Sequence, residues 1–287
     1  MKFISSKQKG DIFIFGVPYD ASTCFYPGTR LAPQKIREMS YNLETFSPYT
    51  FLDLEDKNFV DLEDIEVNVI DPKDLFKRVY EFSKKQLDNF KKGVLIGGDH
   101  STPIGFVKAI KEVYTKLVLI HFDAHADLRD IYLNSKYSHA CFARRVLDFN
   151  IPTIQFGIRS FSQDEYKNFY KGNPSFEEEK LLFKNNIMFI KNWDILKEVV
   201  YLFKNQGYNF YISLDIDAFD PSFAPGTGTP EAGGMDPLSF FEFIKYLKKL
   251  KINLVGFDVV EVNPLLDSSN ITSALASKII REILLIM

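Results

Sequence analysis

From residue 12 onward, short apolar runs alternate with amphipathic stretches of helical period, and this alternation restricts the fold more than any other feature of the chain. IFIFGV at 12–17 reads as a strand, and Pro33 opens a helix near 33–46. The stretch 47–73 is acidic and irregular, with room for one or two short strands. Residues 74–92 carry a helical period that Gly93 stops. Strands follow at 94–98, 117–123, 153–158, 187–190, 209–217 and 254–262. Helices near 103–115, 139–149, 162–171, 193–206, 236–249 and 271–286 separate or follow them. Strand and helix in turn give one parallel sheet with helices on both faces. With 46% apolar residues the chain can fill a large core. No linker, internal repeat or low-complexity segment divides it, so residues 1–287 read as one domain.

The chemistry gathers in a few phrases. All four histidines, His100, His121, His125 and His139, lie within forty residues, three of them among aspartates in GGDHS and HFDAHAD. A second aspartate pair, Asp215 and Asp217, arrives in SLDIDAFDP. These residues stand at or just beyond strand ends, where open α/β sheets place their ligand sites. Asp123, His125 and Asp127 are spaced i, i+2, i+4, which on an extended strand end points them to one side. Packed together without cations, the four carboxylates would repel. His100, Asp123, His125, Asp127, Asp215 and Asp217 therefore read as a ligand set for two divalent cations, with Asp123 and Asp215 as natural bridges. Mixed carboxylate and imidazole ligation favours Mn²⁺, with Zn²⁺, Co²⁺ and Fe²⁺ as alternatives. An open coordination position would hold a water of lowered pKa. His121 reads as a packing or orienting histidine.

A net charge of −3 argues against a nucleic-acid footprint. No apolar run reaches the ~20 residues that span a membrane, and the polar start MKFISSKQKG lacks a signal segment, so the expectation is a cytoplasmic protein. Cys24 and Cys141 make no CxxC pair. Arg30, Arg144 and Arg159 are read as structural ion-pair residues, and Arg159 also as a subunit contact.

At GGDHS (97–101), HFDAHAD (121–127), SHACFARR (138–145), SLDIDAFDPSFAPGTGTPEAGG (213–234) and EVNP (261–264) the sequence resembles the ureohydrolase family of arginases and agmatinases. GVPYDASTCFYPGTRLAPQKIRE (16–38) is similar to the opening of the agmatinase-like branch. The resemblance implies a three-layer α/β/α fold around a mostly parallel eight-stranded sheet, a pair of Mn²⁺ ions, and a homo-oligomer, trimer or hexamer. Carried over by position, one ion takes His100, Asp123, Asp127 and Asp215, and the other His125, Asp123, Asp215 and Asp217. His139 matches the family's proton-shuttling histidine and Glu261 its guanidinium-holding glutamate, while Asp127 orients and deprotonates the attacking water. The substrate implied is a small cationic guanidine, agmatine foremost, cleaved to putrescine and urea. The loop 128–140, with Tyr132 and Asn134 as substrate-binding candidates, is less polar than the corresponding arginase loop. Arginine, guanidinobutyrate and formiminoglutamate stay open as substrates. A deacetylase-like C–N hydrolase and a non-catalytic metal-dependent binding protein are the competing readings.

Overall fold

The computed structural model describes residues 1–67, 71–178 and 181–287. Residues 68–70, within the irregular stretch noted above, lie outside the described residues. Among those described, eight strands form one sheet: β1 (Ile12–Val17), β2 (Phe59–Asp64), β3 (Lys92–Gly97), β4 (Leu117–Phe122), β5 (Thr153–Phe156), β6 (Ile187–Ile190), β7 (Asn209–Asp215) and β8 (Leu254–Val260). Their order is β2-β1-β3-β8-β7-β4-β5-β6. Every pairing is parallel, so the expected mostly parallel sheet is parallel throughout.

Strand side chains alternate between two cores, as a period of two requires. Ile12, Ile14, Val118 and Ile120 join one apolar cluster; Phe13, Phe15, Leu117 and Leu119 join the other. The helices are α1 (Ala32–Ser40), α2 (Pro72–Leu87), α3 (Ile104–Val113), α4 (Phe142–Asp148), α5 (Gln163–Glu165), α6 (Pro174–Glu177), α7 (Trp193–Asn205), α8 (Pro237–Leu250) and α9 (Ile271–Ile286). The first cluster draws on α1, α7, α8 and α9, and the second on α2, α3 and α4. The result is a three-layer α/β/α sandwich. Local chemistry sets the helix starts. Asp71, Asn192 and Asp236 each accept a backbone N–H of the first turn, and Pro72 and Pro237 occupy first helical positions.

Several boundaries differ from expectation for physical reasons. Gly93 does not stop α2, which ends at Leu87; it lies in β3. A Cβ there would meet the Phe13 ring at 2.6 Å. The helix near 33–46 closes at Ser40. The segment 162–171 starts with a capping box of Ser162 and Glu165, then widens into a π-helical turn over Tyr166–Tyr170. Among the described residues no helix is long and apolar enough to cross a membrane.

Candidate metal centre and active site

The four central neighbours β3, β8, β7 and β4 end at one edge of the sheet, and each delivers part of the site. His100 follows β3, Glu261 follows β8, Asp215 ends β7 with Asp217 in the next turn, and Asp123 follows β4. Gly98 makes the turn after β3, where a Cβ would lie 1.9 Å from the Tyr19 carbonyl oxygen. The chain after Asp123 does not continue as one straight strand end, as the i, i+2, i+4 argument assumed: it bends at Ala124, and His125 bridges Ser160 in parallel. The chain then curls, and Asp127 enters the site from a left-handed backbone at φ 51°. Glu261 is left-handed too, at φ 63°. Such conformations in non-glycine residues cost about 1–3 kcal/mol and gather at functional sites.

The six expected ligands converge in two groups that share Asp123. His100 Nδ1 lies 3.1 Å from Asp123 Oδ2 and 3.2 Å from both Asp127 Oδ2 and Asp215 Oδ2. His125 Nδ1 lies 2.9 Å from Asp217 Oδ2 and 3.6 Å from Asp123 Oδ1. Donor atoms of His100, Asp123 and Asp127, and those of Asp123, His125 and Asp217, lie close enough to hold a metal ion each. Asp123 thus faces both groups, one oxygen to each. Each bridge candidate also accepts a backbone N–H on Oδ1: Asp123 from His125 at 2.6 Å and Asp215 from Asp217 at 2.9 Å, with a lone pair of that oxygen left over. His121 is also within reach of the first group. Its Nε2 lies 2.8 Å from Asp123 Oδ2, while its Nδ1 meets the Gln155 amide at 2.9 Å. Gln155 donates there, so His121 Nε2–H donates to Asp123 and orients it.

Electrostatics point to missing positive charge. Burial and the facing Asp123 push Asp127 well above the usual carboxylate range, and burial with Asp217 and Asp123 does the same to Asp215. Burial opposes protonation of His100 and His125, yet the surrounding carboxylates raise both well above an ordinary imidazole. A buried donor set of four carboxylates and two imidazoles fits two divalent cations, which relieve this repulsion.

A second layer fixes the ring of His100. Its Nε2 lies 3.0 Å from Ser213 Oγ, and that hydroxyl donates to Asp258 Oδ1 at 2.8 Å. Having given its proton to Asp258, Ser213 can only accept from His100. The proton therefore sits on Nε2, and Nδ1 is free to ligate. Ser213, Asp258 and Gln155 are isolated polar residues inside apolar strands and carry no local sequence signature.

The group opens into a cavity of about 280 Å³ whose lining includes Cys24, His100, Arg129, Tyr132, His139 and Glu261. Glu261 Oε1 accepts the His100 N–H at 2.9 Å, and burial with the nearby Asp99 pushes its carboxyl up to about 8. Burial pulls His139 down, but a hydrogen bond with Cys24 and the charges of Glu261, Asp99 and Asp127 bring it to about 9. It therefore sits above the unperturbed imidazole value of about 6.5. Tyr132 meets the His139 ring edge-on at 5.5 Å, and Arg129 lies over the Tyr132 ring at 4.7 Å. Asn134 is, with Leu133, one of two left-handed residues in the turn that pairs Tyr132 with Ser135, and it is not among the cavity-lining residues. Arg30 pairs with Asp20, and Arg144 with Asp130 and Asp148. Arg159 makes no ion pair among the described residues: it donates to the carbonyls of Ala232, Gly157, Asp217 and Glu231, clamping the loop after β7.

The chain is similar to known proteins over nearly its full length. Residues 10–286 match the profile of the arginase family. An agmatinase of Bacillus subtilis is 36% identical over 99% of this chain and 95% of its own length. A mitochondrial guanidino acid hydrolase of Homo sapiens is 34% identical over 98% of this chain and 79% of its own length. A crystal structure from Clostridium difficile, provisionally described as an agmatinase, has 37% identity and a TM-score of 0.86, covering 97% of each chain. With a matching profile, near-complete coverage by relatives and a shared architecture, the chain belongs to the arginase family.

Proposed function

We propose that the protein is a ureohydrolase that cleaves agmatine to putrescine and urea with a pair of divalent cations, manganese foremost. One observation carries the reading. Glu261, a buried carboxylate, lines the same small cavity as His100, Asp127 and Asp215 of one ligand group and His125 of the other. In this reading His100, Asp123, Asp127 and Asp215 hold one ion, and His125, Asp123, Asp215 and Asp217 the other. When bound, the ions would neutralise the carboxylates and supply a water of lowered pKa.

The chain's own residues do the rest. Glu261 receives the planar guanidinium through paired charge-assisted hydrogen bonds and aims its carbon at the water. The approaching cation compensates the burial that raises this carboxyl. Asp127 takes the water's proton. His139 supplies a proton to the departing amine nitrogen as the C–N bond breaks; the hydroxyl proton released as the urea carbonyl forms returns to His139, and Asp127 passes its proton to the free amine, so that in net both protons of water end on the putrescine nitrogen. Tyr132 forms the cavity wall beside His139, and Asn134 shapes the loop that receives the substrate's distal end. The reading extends to one domain over 1–287, a trimer or hexamer, and a cytoplasmic location.

A guanidino carboxylate such as guanidinobutyrate is the second reading, favoured by one observation: Arg129 lines the cavity and offers a cation to an acidic tail. Urea release by the Mn²⁺-loaded protein decides, with agmatine, arginine and guanidinobutyrate offered separately. Turnover of agmatine above the others supports the proposal. Preference for guanidinobutyrate transfers the assignment to the second reading, and no urea from any guanidine overturns both.

A further inference from the structure

We propose that Ser22 is a positioning residue for His139: anchored on Asp99, its hydroxyl keeps Nδ1 of that imidazole protonated, so that the proton that moves is the one on Nε2. The inference rests on the role given above to His139.

Ser22 lies in the loop after β1, only 4% exposed, and reaches across 117 residues of sequence to His139. Its Oγ lies 2.7 Å from Asp99 Oδ2, which also takes the Ser22 N–H at 3.0 Å. The other oxygen of Asp99 accepts the N–H and hydroxyl of Ser101. An ionised carboxylate only accepts, so the single hydroxyl proton of Ser22 is committed to Asp99. Toward His139 the hydroxyl can offer only lone pairs. One takes the His139 backbone N–H at 3.0 Å, and the other faces Nδ1 at 3.4 Å. With Nδ1 bare, two lone pairs would oppose each other; with Nδ1 protonated, the contact is a hydrogen bond. Ser138 Oγ, 3.3 Å from Nδ1, has an uncommitted proton that donates or accepts to suit, so it follows the tautomer and does not set it. Cys24, Glu261, Asp99 and Asp127 favour protonation of the ring as a whole. The contacts of Ser22 select which nitrogen keeps its proton when the ring is neutral. The arrangement repeats the device at His100, where Ser213 stands between a buried aspartate and the imidazole.

The test compares wild type, Ser22→Ala and Ser22→Thr, labelled with ¹⁵N-histidine, loaded with diamagnetic Zn²⁺, and held above the His139 titration. His139→Asn assigns the resonance. The proposal expects an Nδ1–H ring in wild type and Ser22→Thr, and a shift toward Nε2–H in Ser22→Ala. It also expects kcat in the Mn²⁺-loaded Ser22→Ala protein to fall ~10- to 100-fold, with KM and metal content retained and Ser22→Thr restoring turnover. An Nε2–H ring in wild type overturns it, as does an Ser22→Ala protein with unchanged tautomer and kcat. Should Ser22→Ala not fold, the wild-type spectrum alone decides. Should no guanidine be turned over, the functional reading fails, and the spectra still settle the role of Ser22.

Discussion

Ser213→Ala isolates the layer behind the candidate metal ligands. The hydroxyl is fully buried and makes two contacts, 3.0 Å to His100 Nε2 and 2.8 Å to Asp258 Oδ1. Removing it orphans the His100 ring N–H outright. Asp258 loses less, because the Tyr211 hydroxyl still donates to its other oxygen at 2.7 Å. An unsatisfied buried polar group costs about 1–3 kcal/mol, so one full loss and one partial loss together cost about 2–4 kcal/mol. The freed imidazole can then place its proton on Nδ1, the nitrogen turned toward the carboxylates. Loss of such an outer partner typically weakens metal binding ~10- to 100-fold. Chemical denaturation of the metal-free protein reads the first effect, and Mn²⁺ titration calorimetry the second. Ser213→Thr, which keeps the hydroxyl, should recover most of the affinity. A Ser213→Ala protein with wild-type stability and wild-type Mn²⁺ affinity would refute the argument that this hydroxyl sets the His100 tautomer.

Two further outcomes follow from the same geometry. Hydrogen bonding to His139 lowers the Cys24 thiol to about 7, whereas burial pushes Cys141 up to about 12. Since the thiolate is the nucleophile, iodoacetamide should modify Cys24 alone in the folded protein, slowly below pH 7 and faster as pH rises through it. Mass spectrometry across pH checks this, and a midpoint near an ordinary thiol would contradict it. Glu261→Gln keeps an oxygen to accept the His100 N–H but loses the charge. It should retain both metals and lower kcat/KM on guanidines roughly 10- to 100-fold, the equivalent of one charge-assisted hydrogen bond; wild-type kcat/KM would remove Glu261 from substrate binding.

The central strands were legible because they are buried on both faces and read as near-continuous apolar runs, as LVLIHF in β4 does with His121 its one polar residue. β2 was legible only as room for a short strand in 47–73, because FVDLED is half acidic and its last three residues are only partly buried or exposed at the sheet edge. The metal-ligand candidates could be named because histidine and aspartate are dense there and stand at strand ends. The curl at Asp127 could not, since a left-handed aspartate has no sequence mark. Nor could the partners that set ring orientation, Ser22, Asp99, Ser213, Asp258 and Gln155. Their meaning lies in contacts across as many as 117 residues, which only the fold brings together.

The central claim is that Asp123 joins two ligand groups into one pair of adjacent cation sites. The most direct measurement strips the protein with chelator, titrates Mn²⁺ back, and follows stoichiometry together with electron paramagnetic resonance. Two ions per chain with a spin-coupled signal, as expected for metals ~3.5–4 Å apart across a shared carboxylate, is the predicted result. A single ion per chain, or two that remain magnetically independent, would contradict it.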